Sequence, residues 1–345
     1  MSRYRTARPL SQQVHPIAQK DPFRMTAFQR AGIGRPLARL VACAAAALLV
    51  PALPAYAQAA PASASRTPDY CSSVRDPQLA ARLSQDIADA LSGRQDTVAF
   101  AVSDAGTGVS CTYHSTSHYD SASVVKATVM GAVLRRAEDE HRYLTDWEDS
   151  NLEQMITASD NTAATNLWND LGMSRLQAFL QLAGMKDTVL GTGGYWGLTQ
   201  ITAADELRML DVFTDNPNVL TPAGKAYALK LMSQVEADQR WGTPFGAPAT
   251  VTVHVKNGWL PRATHGWRVH SLGIFTGAGK DYRMAVLTED NDTEEYGIDT
   301  IQGIAAAVHR DLNGAAPAAG IAPHAHSAEA SGVSDGSAPF GPVAH

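Results

Sequence analysis

Ser123-Val124-Val125-Lys126 opens the apolar, helix-patterned segment 127–134. A serine hydroxyl is a poor nucleophile at neutral pH and needs a base held against it. Three residues of helix put Ser123 and Lys126 on one face, and so place a base beside a nucleophile. A serine in the first turn also lies near free backbone N–H groups and the positive end of the helix dipole, which favour a developing oxyanion. Taken alone, the same spacing describes a helix cap followed by a solvated lysine, since both residue types are common.

Upstream of this stretch the chain reads as an export leader and linker. Arg30, Arg35 and Arg39 precede an apolar run over 40–53, and Ala55-Tyr56-Ala57 supplies the small-x-small pattern that a signal peptidase needs before Gln58. The run is too short and too proline-broken for a lasting span. Leu40-Val41-Ala42-Cys43 has the look of a lipid-attachment site, but the apolar run follows Cys43 instead of preceding it, so no stable membrane anchor is expected. A start at Met25 gives a leader of more ordinary length than a start at Met1. The expectation is a signal peptide over 1–57, a linker over 58–75 rich in Ala, Pro and Ser, and secretion after cleavage near Ala57.

Without residues 1–57 the formal net charge falls from −6 to −13. That balance disfavours phosphate backbones and anionic membranes, and no basic stripe with interleaved aromatics appears, which argues against nucleic acid as a partner. Cys43 leaves with the leader. Cys71 and Cys111 remain, 40 positions apart, and an even pair in an exported chain predicts one disulfide, with two free thiols as the alternative.

Downstream, Asp76 and Pro77 read as a helix cap and first turn, with Leu79, Leu83, Ile87 and Leu91 on one face. Strands are expected over 97–103 and 109–113 around a turn at 104–108, then helices from Ser121 to about Gln239. Strands return over 249–255, 267–275 and 282–288, the last two joined by the turn 277–281, before a helix carrying Ile298, Ile301, Ala305 and Val308. After Asn313 the composition cannot bury a core, and a disordered tail is expected over 314–345. The order predicts an α+β fold over 76–313: an antiparallel five-stranded sheet flanked by N- and C-terminal helices, with an inserted all-helical lobe. Catalytic groups would meet where lobe and sheet join.

Two further motifs stand at such places. Ser159-Asp160-Asn161 falls between two helical runs, and Lys256-Asn257-Gly258 is expected to end a strand, where the glycine lets another chain or a ligand approach the backbone. Ser-x-x-Lys, Ser-Asp-Asn and Lys-x-Gly in this order resemble class A β-lactamase-like serine hydrolases and penicillin-binding proteins, with the first two motifs intact and the third altered. The resemblance implies that Ser123 attacks a carbonyl, Lys126 accepts its proton and Ser159 relays a proton to the departing nitrogen. It implies that Asn161 orients Lys126 and bonds the substrate, and that Lys256 holds Ser159 and adds charge near a substrate carboxylate. The oxyanion hole would come from the N–H groups of Ser123 and Trp259.

Two departures from the family pattern bear on activity. Asn257 replaces a hydroxyl residue, although an amide can still donate to a substrate. The family also uses a loop glutamate to hydrolyse the acyl-enzyme, whereas this chain offers Gly191-Thr192-Gly193-Gly194-Tyr195-Trp196-Gly197 in that interval. Asp205 and Glu206 are the nearest acids, and Thr202-Ala203-Ala204-Asp205 reads instead as a helix start. His265, His270, His324 and His326 lack metal-ligand spacing, so neither metal nor cofactor is expected.

The resulting expectation is a monomeric, exported serine hydrolase that forms an acyl-enzyme at Ser123 with a β-lactam or related amide or ester and turns over slowly. One alternative is a D-alanyl-D-alanine carboxypeptidase or transpeptidase acting on an acyl-D-amino-acid substrate. The other is a binding protein on the same fold that has lost turnover, with Asn257 and Trp259 as the altered recognition surface; in the enzymatic readings Gly258 belongs with them to the substrate-binding strand.

Overall fold

A computed structural model describes residues 68–314 and the single residue Ala338. The expected leader, the linker residues 58–67 and the tail beyond Gly314 lie outside the described residues apart from Ala338.

Strand β1 (Cys71–Ser72) precedes helix α1 (Pro77–Leu91). Asp76 caps α1 by accepting from the Leu79 N–H at 2.9 Å, and Pro77 needs no partner for the N–H it lacks. Strands β2 (Thr97–Asp104) and β3 (Ser110–Tyr113) form the first hairpin, and the two-residue β4 (Tyr119–Asp120) leads to the turn that carries Ser123. The lobe follows: α2 (Val125–Asp139), α3 (Asp146–Thr157), α4 (Asn161–Ala183), β5 (Gln200–Ile201), α5 (Ala203–Phe213) and α6 (Pro222–Ser233). The chain then returns through β6 (Thr252–Pro261), β7 (Trp267–Gly277), β8 (Lys280–Asn291) and α7 (Glu294–Asn313).

The main sheet is antiparallel in the order β1-β3-β2-β8-β7-β6. It has six strands where five were expected, because Cys71–Ser72 pairs with Ser110 and Cys111 from inside the stretch assigned to the linker. Two residues carry no readable alternation. The block from Ser121 to Gln239 is likewise not helical throughout, since β5 returns to pair with β4.

The pleat divides the core. Phe100 and Val102 on β2 face α1 and α7, where Leu83, Ile87, Ile301 and Val308 are buried; Ala99 and Ala101 face the lobe. Along α2, every residue from Val125 to Leu134 is buried, so this helix is the lobe's central post. The β7–β8 turn uses Ala278 (φ 52°) and Gly279 (φ 75°), the positive φ pair that matches strand twist. Cys71 and Cys111 form the disulfide, at a Cα–Cα distance of 3.9 Å, across the β1–β3 edge.

Candidate active site

Ser123 lies in a single 3-10 turn, Ala122–Val124, that runs directly into α2. Ala122, just before it, holds φ 47°, a left-handed conformation that costs a non-glycine residue about 1–2 kcal/mol. The turn is held from the lobe: the Ser121 N–H donates to the Thr199 carbonyl at 2.8 Å. Among the residues from Ser121 to Leu134, Ser123 is the one left partly exposed. The hydroxyl-bearing residue is thus the open point of an otherwise sealed segment.

Ser159 sits between α3 and α4 with φ 56°, so its carbonyl and hydroxyl both turn toward α2. The Lys126 ammonium donates to the Ser159 carbonyl at 2.6 Å, to its Oγ at 3.2 Å and to Asn161 Oδ1 at 2.5 Å. Asn161 is aimed by its place in the first turn of α4, which Asp160 caps through the Ala163 N–H at 2.6 Å. From the edge strand β6, Lys256 Nζ donates to the same Ser159 Oγ at 2.9 Å and to the Asn257 carbonyl at 2.8 Å. Both lysines are fully buried. A hydroxyl has two acceptor positions and one proton. With both lone pairs taken by ammonium groups, the Ser159 proton is directed away from them. Burial pulls the Lys256 pKa down to about 7, because desolvation penalises the charged form, and makes it a group that can exchange a proton near neutrality.

Strand β6 lies against the Ser123 turn at Gly258. A Cβ there would stand 2.7 Å from the backbone N of both Ser123 and Val124, so only glycine permits the approach. Behind it, His270 pairs with Gly258 across β6–β7. Its Nε2 donates to the Asp120 carbonyl at 2.8 Å and its Nδ1 accepts from the Thr288 N–H at 3.2 Å. Both ring nitrogens are occupied, and burial holds the ring neutral with a pKa near 4. His270 braces the strand.

Ser123, Lys126, Ser159, Asn161, Lys256 and Gly258 are therefore brought together. Asn257 and Trp259 are not, as side chains. The triplet lies in the interior of β6, not at its end, because pairing with β7 continues to Pro261. Successive side chains alternate faces, so Lys256 and Gly258 face the lobe while Asn257 and Trp259 face away. Asn257 Nδ2 donates to the carbonyls of Gln239 and Trp241, each at 2.9 Å, and its Oδ1 is buried without a partner among the described residues. The donor expected to meet a substrate carboxylate is spent on the backbone. Trp259 packs edge-on to Trp241, ring centroids 5.9 Å apart, on that same side.

The acids considered for the loop glutamate have other places. Asp205 accepts from the Asp187 N–H and the Thr188 hydroxyl, each at 2.8 Å, and from Arg208 at 2.6 Å. Glu206 is fully buried in α5 with neither oxygen bonded among the described residues, and desolvation raises its pKa to about 8. What the loop does bring is Trp196, whose ring stands over Lys126 with Nζ 4.7 Å from the centroid. Its bulk inside a glycine-rich run was the visible signal, but nothing local says on which wall it lands. His265, Glu289 and Asp290 gather ligand-type atoms within 4.8 Å of one another, with the His265–Asp290 bond at 2.8 Å and Thr97 already on the other Asp290 oxygen. Glu289 pairs instead with Arg268 at 3.7 Å.

An edge strand, an interhelical loop and the start of a central helix meeting around one serine define a serine β-lactamase-fold protein. The sequence matches the Beta-lactamase enzyme family over residues 82–147 and 150–312, and the chain belongs to that family. Among curated proteins it is 28% identical over 198 residues to the "Putative lipoprotein LppW" of Mycobacterium tuberculosis and of Mycobacterium bovis, covering 55% of this chain and 62% of theirs. It thus spans less than two thirds of the length of those relatives. Solved structures with the same fold include a class A beta-lactamase from Bacteroides cellulosilyticus, 21% identical with a TM-score of 0.60, covering 68% of this chain and 98% of that one. A beta-lactamase from Sphaerobacter thermophilus is 18% identical with a TM-score of 0.59 over 69% and 98% of the two chains. An ancestral class A beta-lactamase, GNCA, gives 21% and 0.55 over 66% and 98%.

Proposed function

We propose that this chain is an exported serine acyl hydrolase of the β-lactamase type, acylated at Ser123 by a β-lactam or a related amide or ester and slow to release the acyl group. In this reading Lys126, in its neutral form, takes the Ser123 proton as Oγ attacks the carbonyl. The tetrahedral oxyanion is held by the N–H groups of Ser123 and Trp259, a contribution of about 3 kcal/mol per donor in serine hydrolases. Ser159 then passes its proton to the departing nitrogen and is resupplied by Lys256. Asn161 keeps Lys126 aimed.

The observation that carries this reading is the convergence of two fully buried lysines on one serine oxygen, at 3.2 and 2.9 Å. Taking an ammonium group out of water costs several kcal/mol, and a core has no structural need for two of them at one hydroxyl. Export is part of the proposal and is supported by the leader pattern, by the disulfide and by relatives named as lipoproteins. That name makes Cys43 worth checking: an exported protein whose mass begins at Gln58 supports soluble secretion, and a lipid-modified Cys43 would replace it with a membrane-attached form.

The test is incubation with a chromogenic cephalosporin. A burst of product equal to the enzyme concentration, followed by a slow steady rate and a mass adduct on Ser123, is expected; Ser123→Ala abolishes both. Absence of any adduct in the unmodified protein overturns the proposal. Release of D-alanine from a cell-wall pentapeptide without cephalosporin acylation would favour the carboxypeptidase alternative.

A further inference from the structure

We infer that Trp196 sets the lifetime of the acyl-enzyme by closing the Lys126 side of the site to water, so that the acyl group on Ser123 persists until a nucleophile arrives from the solvent side. The inference rests on the acyl-enzyme reading given above and goes further by naming the residue that separates acylation from hydrolysis.

The Trp196 indole is 1% exposed and faces the Lys126 ammonium at 4.7 Å from the ring centroid. A water bonded to Nζ would stand about 2.8 Å from it, and its oxygen needs roughly 3.5 Å from the ring, about 6 Å together. The observed spacing leaves no room for one between them.

Trp196 is held through its ring once and through its backbone twice. Its Nε1 donates to Thr165 Oγ1 on α4 at 3.1 Å. Its carbonyl accepts from the Thr199 N–H at 3.1 Å and from the Ser121 hydroxyl, beside the nucleophile, at 3.4 Å. The loop that carries it closes so tightly that a Cβ on Gly191 would lie 2.1 Å from the Tyr195 carbonyl oxygen. A flexible lid would not be built this way.

Hydrolysis breaks the ester bond between the acyl carbon and Ser123 Oγ, forms a bond from that carbon to the water oxygen, and returns one water proton to Ser123. A water that gives its proton to Lys126 from the ring side has to stand where the indole now is.

The experiment separates the two half-reactions. Unmodified protein, Trp196→Ala, Trp196→Phe and Thr165→Val are acylated with a chromogenic cephalosporin, freed of excess reagent, and the Ser123 adduct is followed by intact-protein mass spectrometry. Trp196→Ala should acylate within about threefold of the unmodified rate and lose its adduct at least about tenfold faster, a difference of about 1.4 kcal/mol in barrier. Trp196→Phe, which keeps an aromatic face, should stay near the unmodified lifetime, and Thr165→Val, which only frees the ring, should fall between. Equal lifetimes in unmodified protein and Trp196→Ala overturn the inference, as does a parallel fall in acylation and deacylation, the mark of a merely structural role. If Trp196→Ala does not fold, an unchanged lifetime in Thr165→Val overturns it instead. A missing adduct in unmodified protein overturns the acyl-enzyme reading first and this inference with it, and is distinguished because nothing remains to decay.

Discussion

Gly258 shows how one missing carbon positions the proposed site. Its backbone lies so near the Ser123 turn that a methyl group would meet the Ser123 and Val124 nitrogens at 2.7 Å. Overpacking of that kind costs about 1–3 kcal/mol, and here relief requires moving either the edge strand or the serine. Gly258→Ala should therefore stay folded by circular dichroism while its acylation rate falls by about a hundredfold or more, the size of effect seen when an oxyanion donor is lost. Acylation within threefold of the unmodified protein would show that the approach has no role in the chemistry. The residues that the structure gathers at the candidate site were legible because each is costly or unusual in its place: a serine opening an apolar helix, a Ser-Asp-Asn between helices, a lysine and glycine inside a β-branched run. Which of them share a face was not. Asn257 and Trp259 were expected beside a substrate, and the two-residue period of the strand turns both away, toward Gln239 and Trp241.

At the scale of elements, the long helices and the paired strands follow from pattern, caps and turns; the short pieces do not. The β1 strand is two residues long and exists through its partner, Ser110–Cys111, and the β4–β5 ladder is equally short. Such segments carry too few residues for alternation to register, and only the folded neighbours define them. The Trp196 loop has the same character, since its path is set by Thr165, Thr199 and Ser121, none of which adjoins it closely in sequence except Thr199. The disulfide compensates at the weakest of these places. It links Cys71 to Cys111 across a separation of 40 residues, for a chain-entropy contribution of about 3–4 kcal/mol. It also lies at the edge of the sheet opposite β6, with β2, β8 and β7 between. Replacing both cysteines by serine should thus lower the unfolding free energy measured by urea titration by an amount near that figure while leaving the rate of Ser123 acylation within twofold. A large loss of acylation at temperatures where the variant is still folded would mean that the two edges are coupled through the sheet.

Across the whole molecule, five buried titratable groups set a stability profile that the surface charge does not. Glu206 and Glu294 are sealed with no hydrogen-bond partner on either carboxylate oxygen among the described residues, and burial raises both pKa values to about 8. The folded state therefore holds more protons than the unfolded chain from about pH 4.5 to 8, and stability falls as pH rises through that interval. His270 and His309 act the other way. Each has both ring nitrogens bonded in the neutral form, His309 donating to the Thr243 carbonyl and accepting from the Tyr282 hydroxyl, and burial lowers both pKa values to about 4. Their contribution is lost as pH falls from about 6.5 to 4. Lys256, lowered to about 7 by burial, adds stability only as pH climbs from there toward the ordinary lysine range. The histidines and carboxyls oppose one another between about pH 4.5 and 6.5. From 6.5 to 8 two carboxyls act against at most one lysine, so stability should decline on the order of 1 kcal/mol per pH unit. Urea midpoints at pH 6.5 and 8 test this directly. The unmodified protein should be less stable at pH 8, and Glu206→Gln/Glu294→Gln should abolish or invert that difference, whatever the double substitution does to absolute stability. A decline that persists unchanged in the double variant would place its origin in other groups and would mean that these two carboxyls find partners or water in solution.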